Sequence, residues 1–419
     1  MVRTVSLFFV LTAGLNAQTI EVTPPRAMVD EPASIRAAGL QPNERISIHA
    51  ELTDGANVHW ASKADFVSDA QGSIDTSKQP AVAGSYKEVS AMGLVWSMMP
   101  SSNGAGRYQA PRDAQTIEFH LMRGGEQLAS ARLEQTAAAP GVQRVPLHEG
   151  PLRGMLFLPP GTDRHPGVLV LGGSEGGMPT RRAAWLASHG FAALALAYFR
   201  YDDLPKELAG IPLEYFGEAL LWMSHRPEIA ADHTAVMGVS RGAELALQLG
   251  SMYPAIKAVV AYAPSNVRNP ACCGFTSVPY AWTWKGNGLA FRPLRTGPQT
   301  DPRATIDVEQ TQGPILLISG DADRDWESSS MAESIIHRLK SAHFAYSYED
   351  LKYPHAGHSA GRPEIVPAWT GEVRNPTSGR EMEMGGTPKG NAESSLDAIP
   401  KVLNFLQTSL TATPATPAR

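Results

Sequence analysis

Residues 234–250, TAVMGVSRGAELALQLG, constrain this chain more than any other stretch. A short apolar run (Ala235, Val236, Met237) leads into Gly238-Val239-Ser240-Arg241-Gly242, and Leu245, Leu247 and Leu249 then mark a helix. Strand, G-x-S-x-G and helix together describe an elbow so tight that side chains two residues before and after the serine would collide. Glycine stands at both positions. The elbow lifts Ser240 Oγ above a sheet edge and sets it at a helix N-terminus, where the Arg241 N–H and the helix dipole can hold an oxyanion. A chain with 38 glycines produces some G-x-S-x-G matches by chance. The flanking strand and helix separate this one from chance.

The rest of the composition removes whole classes of function. At 419 residues there is room for more than one domain. Charged residues make up 18% and the net charge is −5, so there is no basic footprint and no nucleic-acid partner is expected. The two cysteines, Cys272 and Cys273, are adjacent, which leaves neither a disulfide framework nor a zinc spacing. Without H-E-x-x-H or clustered histidines, no metal or other cofactor is expected. No apolar run is long enough for a transmembrane segment. The N-terminus reads as a signal peptide over 1–17: Arg3, an apolar stretch over 5–15, then Asn16-Ala17-Gln18 with cleavage after Ala17. A secreted or periplasmic location follows, or a cytoplasmic one if the segment is kept.

Along the chain the hydrophobic period changes once. From 18 to 139 it is two: Ile46, Ile48 and Ala50 alternate with polar residues, as do Ile117, Phe119 and Leu121, and Gly124-Gly125 joins two strands as a hairpin. This predicts a small antiparallel β-sandwich, with Trp60, Trp96, Met92, Met98 and Met99 in its core or on an inter-domain face. After Ala137-Ala138-Ala139-Pro140-Gly141 strands and helices alternate, the grammar of a mainly parallel sheet covered on both faces. The expected elements over 140–408 are a hairpin (143–147, 154–158) and strands at 167–171, 191–198, 256–262, 314–319 and 344–352. Helices are expected over 179–188, 212–225, 328–340 and 391–406, the last carrying Pro400. The segment 265–313 breaks this rhythm and reads as a flap over the active site carrying Trp282, Trp284 and Phe291, or as an insertion packed on the core. A disordered tail is expected at 409–419. The fold class is α/β: an α/β-hydrolase domain preceded by the sandwich.

A serine hydroxyl needs a histidine base, itself held by a carboxylate, and on this fold the order is serine, acid, histidine. The strand at 314–319 ends in Gly320-Asp321-Ala322-Asp323, and the strand at 344–352 ends in Tyr353-Pro354-His355-Ala356-Gly357-His358. Ser240, Asp323 and His358 thus follow successive strands at one sheet edge, where open α/β sheets keep their sites. Asp321 is the alternative acid and His355 the alternative base. Asp323 is preferred because the turn needs room before the acid, and His358 because Gly357 lets the loop swing over the serine. Asp325 and Glu327 read as solvated charges at a helix start. The oxyanion hole is expected from the N–H of Arg241 and of Ser174 in the turn Gly172-Gly173-Ser174-Glu175-Gly176-Gly177, with Gly173 and Glu175 as neighbours.

These residues resemble the acyl-CoA thioesterase and bile acid-CoA:amino acid N-acyltransferase family, which pairs a β-sandwich with an α/β-hydrolase. The likeness rests on Pro24-Pro25-Arg26, Asp30-Glu31-Pro32 and Met92-Gly93-Leu94-Val95-Trp96 in the first part. It continues through Leu186-Ala187-Ser188-His189-Gly190-Phe191, Asp203-Leu204-Pro205-Lys206, Leu213-Glu214-Tyr215-Phe216 and Gly238-Val239-Ser240-Arg241-Gly242-Ala243-Glu244-Leu245. Trp326, Tyr353-Pro354 and Gly357-His358 complete it. The resemblance implies hydrolysis of acyl-CoA thioesters by Ser240, Asp323 and His358, with a small-molecule acyl thioester or ester as partner. The family's transfer to an amino acid goes with cysteine as nucleophile, so serine here points to hydrolysis, leaving an exported carboxylesterase and an N-acyltransferase as alternatives.

Overall fold

The computed structural model describes residues 17–101, 107–293, 301–371, 373–374 and 381–411. The expected signal segment therefore lies outside the described residues, apart from Ala17. In the N-terminal part a three-stranded sheet (Thr19–Thr23, Ser34–Ala38, Ile74–Asp75) faces a larger one. The larger sheet runs Arg26–Met28, Glu126–Thr136, Ala114–Arg123, Arg45–Thr53, His59–Val67, Ala83–Gly84. Period two does its work here. Ile46, Ile48, Ala50 and Leu52 are buried while their neighbours on the same strand face outward. Ala114–Arg123 and Glu126–Thr136 form the hairpin, turning at Gly124 and Gly125 with φ of 54° and 96°. One pairing departs from the antiparallel expectation, since Arg26–Met28 runs parallel to the end of Glu126–Thr136. Met99 also departs: it is 55% exposed, whereas Trp60, Trp96, Met92 and Met98 are buried.

The C-terminal part carries eight strands: β1 (Gln143–Glu149), β2 (Leu152–Leu158), β3 (His165–Leu171), β4 (Ala192–Ala197), β5 (Ile229–Val239), β6 (Ile256–Tyr262), β7 (Ile315–Gly320) and β8 (Tyr348–Tyr353). Their order in the sheet is β1-β2-β4-β3-β5-β6-β7-β8, with only β1–β2 and β2–β4 antiparallel. Helices α1 (Thr180–Ser188), α2 (Glu214–Ser224), α3 (Arg241–Met252), α4 (Ser328–Ser341) and α5 (Pro388–Thr411) cover its faces. The central strands are apolar almost throughout because both faces are covered. Alternate residues sort into two cores. Val168, Val170, Met237, Val260 and Ile318 join α1, α5 and the sandwich interior in one continuous cluster, so the sandwich packs on that face. Leu169, Leu171, Val236, Val259 and Leu317 join α2, α3 and α4 on the other.

Two boundaries and the insertion differ from expectation. β8 begins later because the Phe344 N–H donates to the Leu339 carbonyl and ends α4 instead of opening a strand. Helix α5 passes through Pro400 and runs to Thr411, so residues 409–411 are helical and not part of a disordered tail. Leu410 is buried below Val402 and Leu406, and its carbonyl meets His233 Nδ1; residues 412–419 lie outside the description. The described part of the insertion over 265–313 is short-stranded. Trp282–Trp284 pairs with Ile211–Pro212 on one side and Asn287–Gly288 on the other, and Cys272 and Cys273 form a vicinal disulfide.

Candidate active site

At the end of β5 the backbone turns through Ser240 with φ 56° and ψ −120°, a strained pair of angles for a residue with a Cβ. The surroundings hold it there. The Ser240 N–H donates to the Tyr262 carbonyl (2.9 Å), and its own carbonyl accepts from Ala243 and Glu244 in the first turn of α3 (2.8 and 3.0 Å). A Cβ on Gly238 would run into the Gly242 carbonyl, and one on Gly242 into the Gly172 carbonyl, which is the steric demand the motif encodes.

β7 ends at Gly320, and the next turn delivers two aspartates to different tasks. Asp323 Oδ1 accepts the amides of Asp325 and Trp326 (3.0 and 3.3 Å), while its Oδ2 is 2.9 Å from His358 Nδ1. With the carboxylate accepting, the imidazole proton sits on Nδ1 and Nε2 is left basic. Both side chains are almost wholly buried, at 1% and 5% exposure. Asp321 instead accepts the amide of exposed His355 (2.7 Å) and closes that turn. The structure thus separates the paired candidates Asp323 and His358 from Asp321 and His355. His358 is also fixed by its N–H on the Met384 carbonyl (2.7 Å) and by the edge of Trp326. Burial alone pushes its pKa down, but the hydrogen bond to Asp323 and the charges of Asp323, Asp325 and Glu175 outweigh that and hold it above the ordinary histidine value.

Gly173 in the turn after β3 lies against the serine: a Cβ there would be 3.4 Å from Ser240 Cβ. Among the described residues the amides of Ser174 and Arg241 donate no hydrogen bond, so both remain available beside it. Ser240 Oγ makes no hydrogen bond to His358, as is common before substrate tightens such a site. Nε2 of His358 instead has Asp325 Oδ2 at 3.5 Å. Asp325, expected as a solvated helix-start charge, is exposed and also stands beside the histidine.

Two further features were not visible in the spacing. Glu244, fully buried one turn into α3, accepts Trp282 Nε1 (2.7 Å) and Asn269 Nδ2 (2.9 Å) and pairs with Arg241 Nε (3.2 Å). The Arg241 guanidinium also donates to the Pro270 and Asn269 carbonyls, so the residue after the serine clasps the insertion. Trp282 therefore packs the insertion on the core, against Tyr198 and Phe216. The second feature is the support of the histidine loop by the sandwich. The Ile365 N–H donates to Val29 O (2.6 Å), the Ala368 N–H to Trp96 O (3.0 Å), and Gln135 Nε2 to Ile365 O (3.3 Å). Across α1, Asp30 Oδ2 meets Trp185 Nε1 and His189 Nε2 at 2.8 and 2.7 Å. The one group of three potential metal ligands among the described residues, Glu51, Glu118 and His120, sits on the sandwich and shares no residue with this site.

The strand order, the elbow after β5 and the histidine loop after β8 define an α/β-hydrolase. More narrowly, the chain belongs to the acyl-CoA thioester hydrolase/BAAT family, whose N-terminal region matches residues 30–149 and whose C-terminal region matches 211–412. It is 34% identical over 415 residues to acyl-coenzyme A thioesterase 6 of Mus musculus, covering 93% of this chain and 96% of that protein. The peroxisomal succinyl-coenzyme A thioesterase of Mus musculus is 32% identical over 417 residues, with 93% and 96% covered. Among solved structures, a dienelactone hydrolase-like phosphotriesterase from metagenomic libraries aligns with a TM-score of 0.41 at 16% identity, over 64% of this chain and 97% of that one.

Proposed function

We propose that this enzyme hydrolyses acyl thioesters of the acyl-CoA type through an acyl-enzyme, with Ser240, Asp323 and His358 as the triad. The pairing of buried His358 with buried Asp323 beside the Ser240 elbow carries the reading. Ser240 Oγ attacks the acyl carbonyl as His358 Nε2 takes its proton, and the negative oxygen is held by the amides of Arg241 and Ser174. Collapse breaks the carbon–sulfur bond, and the thiolate leaves with the proton from His358. Water then attacks the ester on Ser240, His358 takes the water proton and returns it to Oγ, and the free acid departs. Asp323 stays ionised throughout and holds the ring. No step calls on a metal or redox group.

The relatives' names supply the thioester leaving group. The basic and apolar segment before Gln18 favours a second reading, an exported carboxylesterase acting on oxyesters, because coenzyme A is a cytosolic cofactor. Gln18 Nε2 donates to the Gly39 carbonyl (3.2 Å) and a strand opens at Thr19, so the residue that cleavage after Ala17 would expose is already held by the sandwich. No helix among the described residues is long and apolar enough to cross a membrane. The test is kcat/KM on an acyl-CoA against a p-nitrophenyl ester of the same acyl chain, together with intact mass of protein from its native host. A strong preference for the thioester supports the first reading. A preference for the oxyester and a mature N-terminus at Gln18 support the second, and no turnover of either substrate rejects both.

A further inference from the structure

Two guanidinium groups meet the Glu364 carboxylate beside the candidate site, and a third, Arg182, lies near enough to feel the charges of Glu364 and Glu175 without pairing with either. Glu364 Oε1 accepts Arg181 Nε at 2.7 Å, and its Oε2 accepts Arg362 Nε at 2.7 Å, so both oxygens are occupied. Burial alone would raise the Glu364 pKa, but Arg362 and Arg181 outweigh it and hold the carboxyl down at about 2. Arg182 is left over. Among the described residues it makes no hydrogen bond and no ion pair; its guanidinium lies 4.7 Å above the ring of Tyr262. Tyr262 is 2% exposed, and its hydroxyl has no hydrogen-bond partner among the described residues either.

The position gives this surplus charge a meaning. Arg182 stands in the first turn of α1, the helix that follows the turn whose Gly173 abuts Ser240. The residue beneath it, Tyr262, is the one whose carbonyl takes the Ser240 amide. Arg362 on the facing side is in the loop that carries His358. An aromatic ring satisfies one face of a guanidinium but none of its in-plane N–H donors. Arg182 is only partly buried and its nitrogens stay open to solvent, so an incoming oxyanion can reach in-plane donors that no described protein group occupies.

We propose that Arg182 binds an anionic group of the substrate, a carboxylate or a phosphate, while Ser240 acts on the acyl carbonyl; this rests on the reading of Ser240 given above. A planar, five-donor fork suits either oxyanion. The anion has two sources: the terminal carboxylate of a dicarboxylic acyl chain, or a phosphate of a nucleotide-bearing thiol.

Four thioesters separate them: hexanoyl and adipoyl groups, each on coenzyme A and on N-acetylcysteamine, which carries no phosphate. Arg182→Gln should lose roughly ten- to hundredfold in kcat/KM, mostly through KM, on the thioesters whose anion it contacts, and little on neutral hexanoyl-N-acetylcysteamine. A loss confined to both coenzyme A thioesters assigns the phosphate. A loss confined to both adipoyl thioesters assigns the carboxylate. Arg182→Lys, which keeps the charge but not the fork, should fall between. An equal loss on all four substrates, tracking a lowered Tm, or no loss on any, overturns the proposal. Calorimetric binding of coenzyme A and of adipate is read in parallel because it needs no turnover. If neither is weakened in Arg182→Gln, the proposal fails whatever Ser240 does. If wild-type protein binds one of them through Arg182 but hydrolyses none of the four thioesters, it is the reading of Ser240 that fails.

Discussion

Asp325 Oδ2 lies 3.5 Å from Nε2 of His358, the ring nitrogen opposite the one that Asp323 holds. A negative charge at that point favours the imidazolium and competes with Ser240 for the nitrogen that must take its proton. The folded pKa of His358 is raised above 6.5. Because a base acts only when neutral, kcat/KM should rise with pH along an acid limb displaced above the ordinary histidine value. Stability runs the other way. The contribution of protonated His358 is fully present below 6.5 and is lost as pH rises through the folded value. Asp325→Asn should move the acid limb to lower pH and raise the rate near pH 6. A pH profile of the variant with an unmoved limb would remove Asp325 from the mechanism.

Ser240→Ala, His358→Ala and Asp323→Asn should each lower kcat by about 10³-fold or more, with the first two near 10⁶. His355→Ala and Asp321→Asn should keep near-normal turnover, since those two serve only the turn that joins them. Steady-state kinetics and fluorophosphonate labelling of the five variants decide this. Labelling of Ser240→Ala at the wild-type rate would contradict the assignment outright.

Trp282→Ala removes a buried indole and leaves Glu244 Oε1 without its donor. A cost of about 3–5 kcal/mol is expected, with a lowered Tm and a similar fall in kcat/KM at every acyl length. Glu244→Gln should destabilise as well, because the Arg241 guanidinium loses its buried counter-charge. A loss that grows with acyl length at unchanged Tm would instead make Trp282 part of an acyl-lining flap.

Desolvation raises the pKa of Asp350 from 3.8 to about 6, with the Ser319 hydroxyl and Lys352 opposing it. Its folded pKa exceeds the unfolded one, so its stabilising contribution is complete below 3.8 and is lost as pH rises through about 6. Asp350→Asn, which never ionises, should raise Tm by a few degrees at pH 8 and by little at pH 4. Thermal melts at the two pH values test the sign; a larger gain at pH 4 would contradict it.

Much of the fold was legible because its signals are local. β5, the elbow and α3 follow from residues within a few positions of Ser240, and β6 was bounded correctly by an apolar run interrupted only by Lys257. Elements were misjudged where a helix end took residues whose own pattern reads otherwise, through a cap in one case and a contact distant in sequence in the other. Phe344 reads as strand but caps α4, and residues 409–411 read as tail but extend α5 because Leu410 finds a buried place against the core. The choices of Asp323 over Asp321 and His358 over His355 were argued from turn geometry alone, and the one pair is joined through a buried hydrogen bond while the other closes an exposed turn.

By itself the sequence determined which side chains had to reach one sheet edge, because strand period, glycine spacing and chain order are properties of neighbouring residues. Only the tertiary structure decided what surrounds them. Asp325 beside Nε2, Glu244 clasping Trp282, Arg182 left over from Glu364, and the sandwich supporting the loop after His358 are relations between segments far apart in the chain or between side-chain directions. Spacing does not encode such distances. They are set when two cores close on the sheet and each buried polar group must find a partner or go without one.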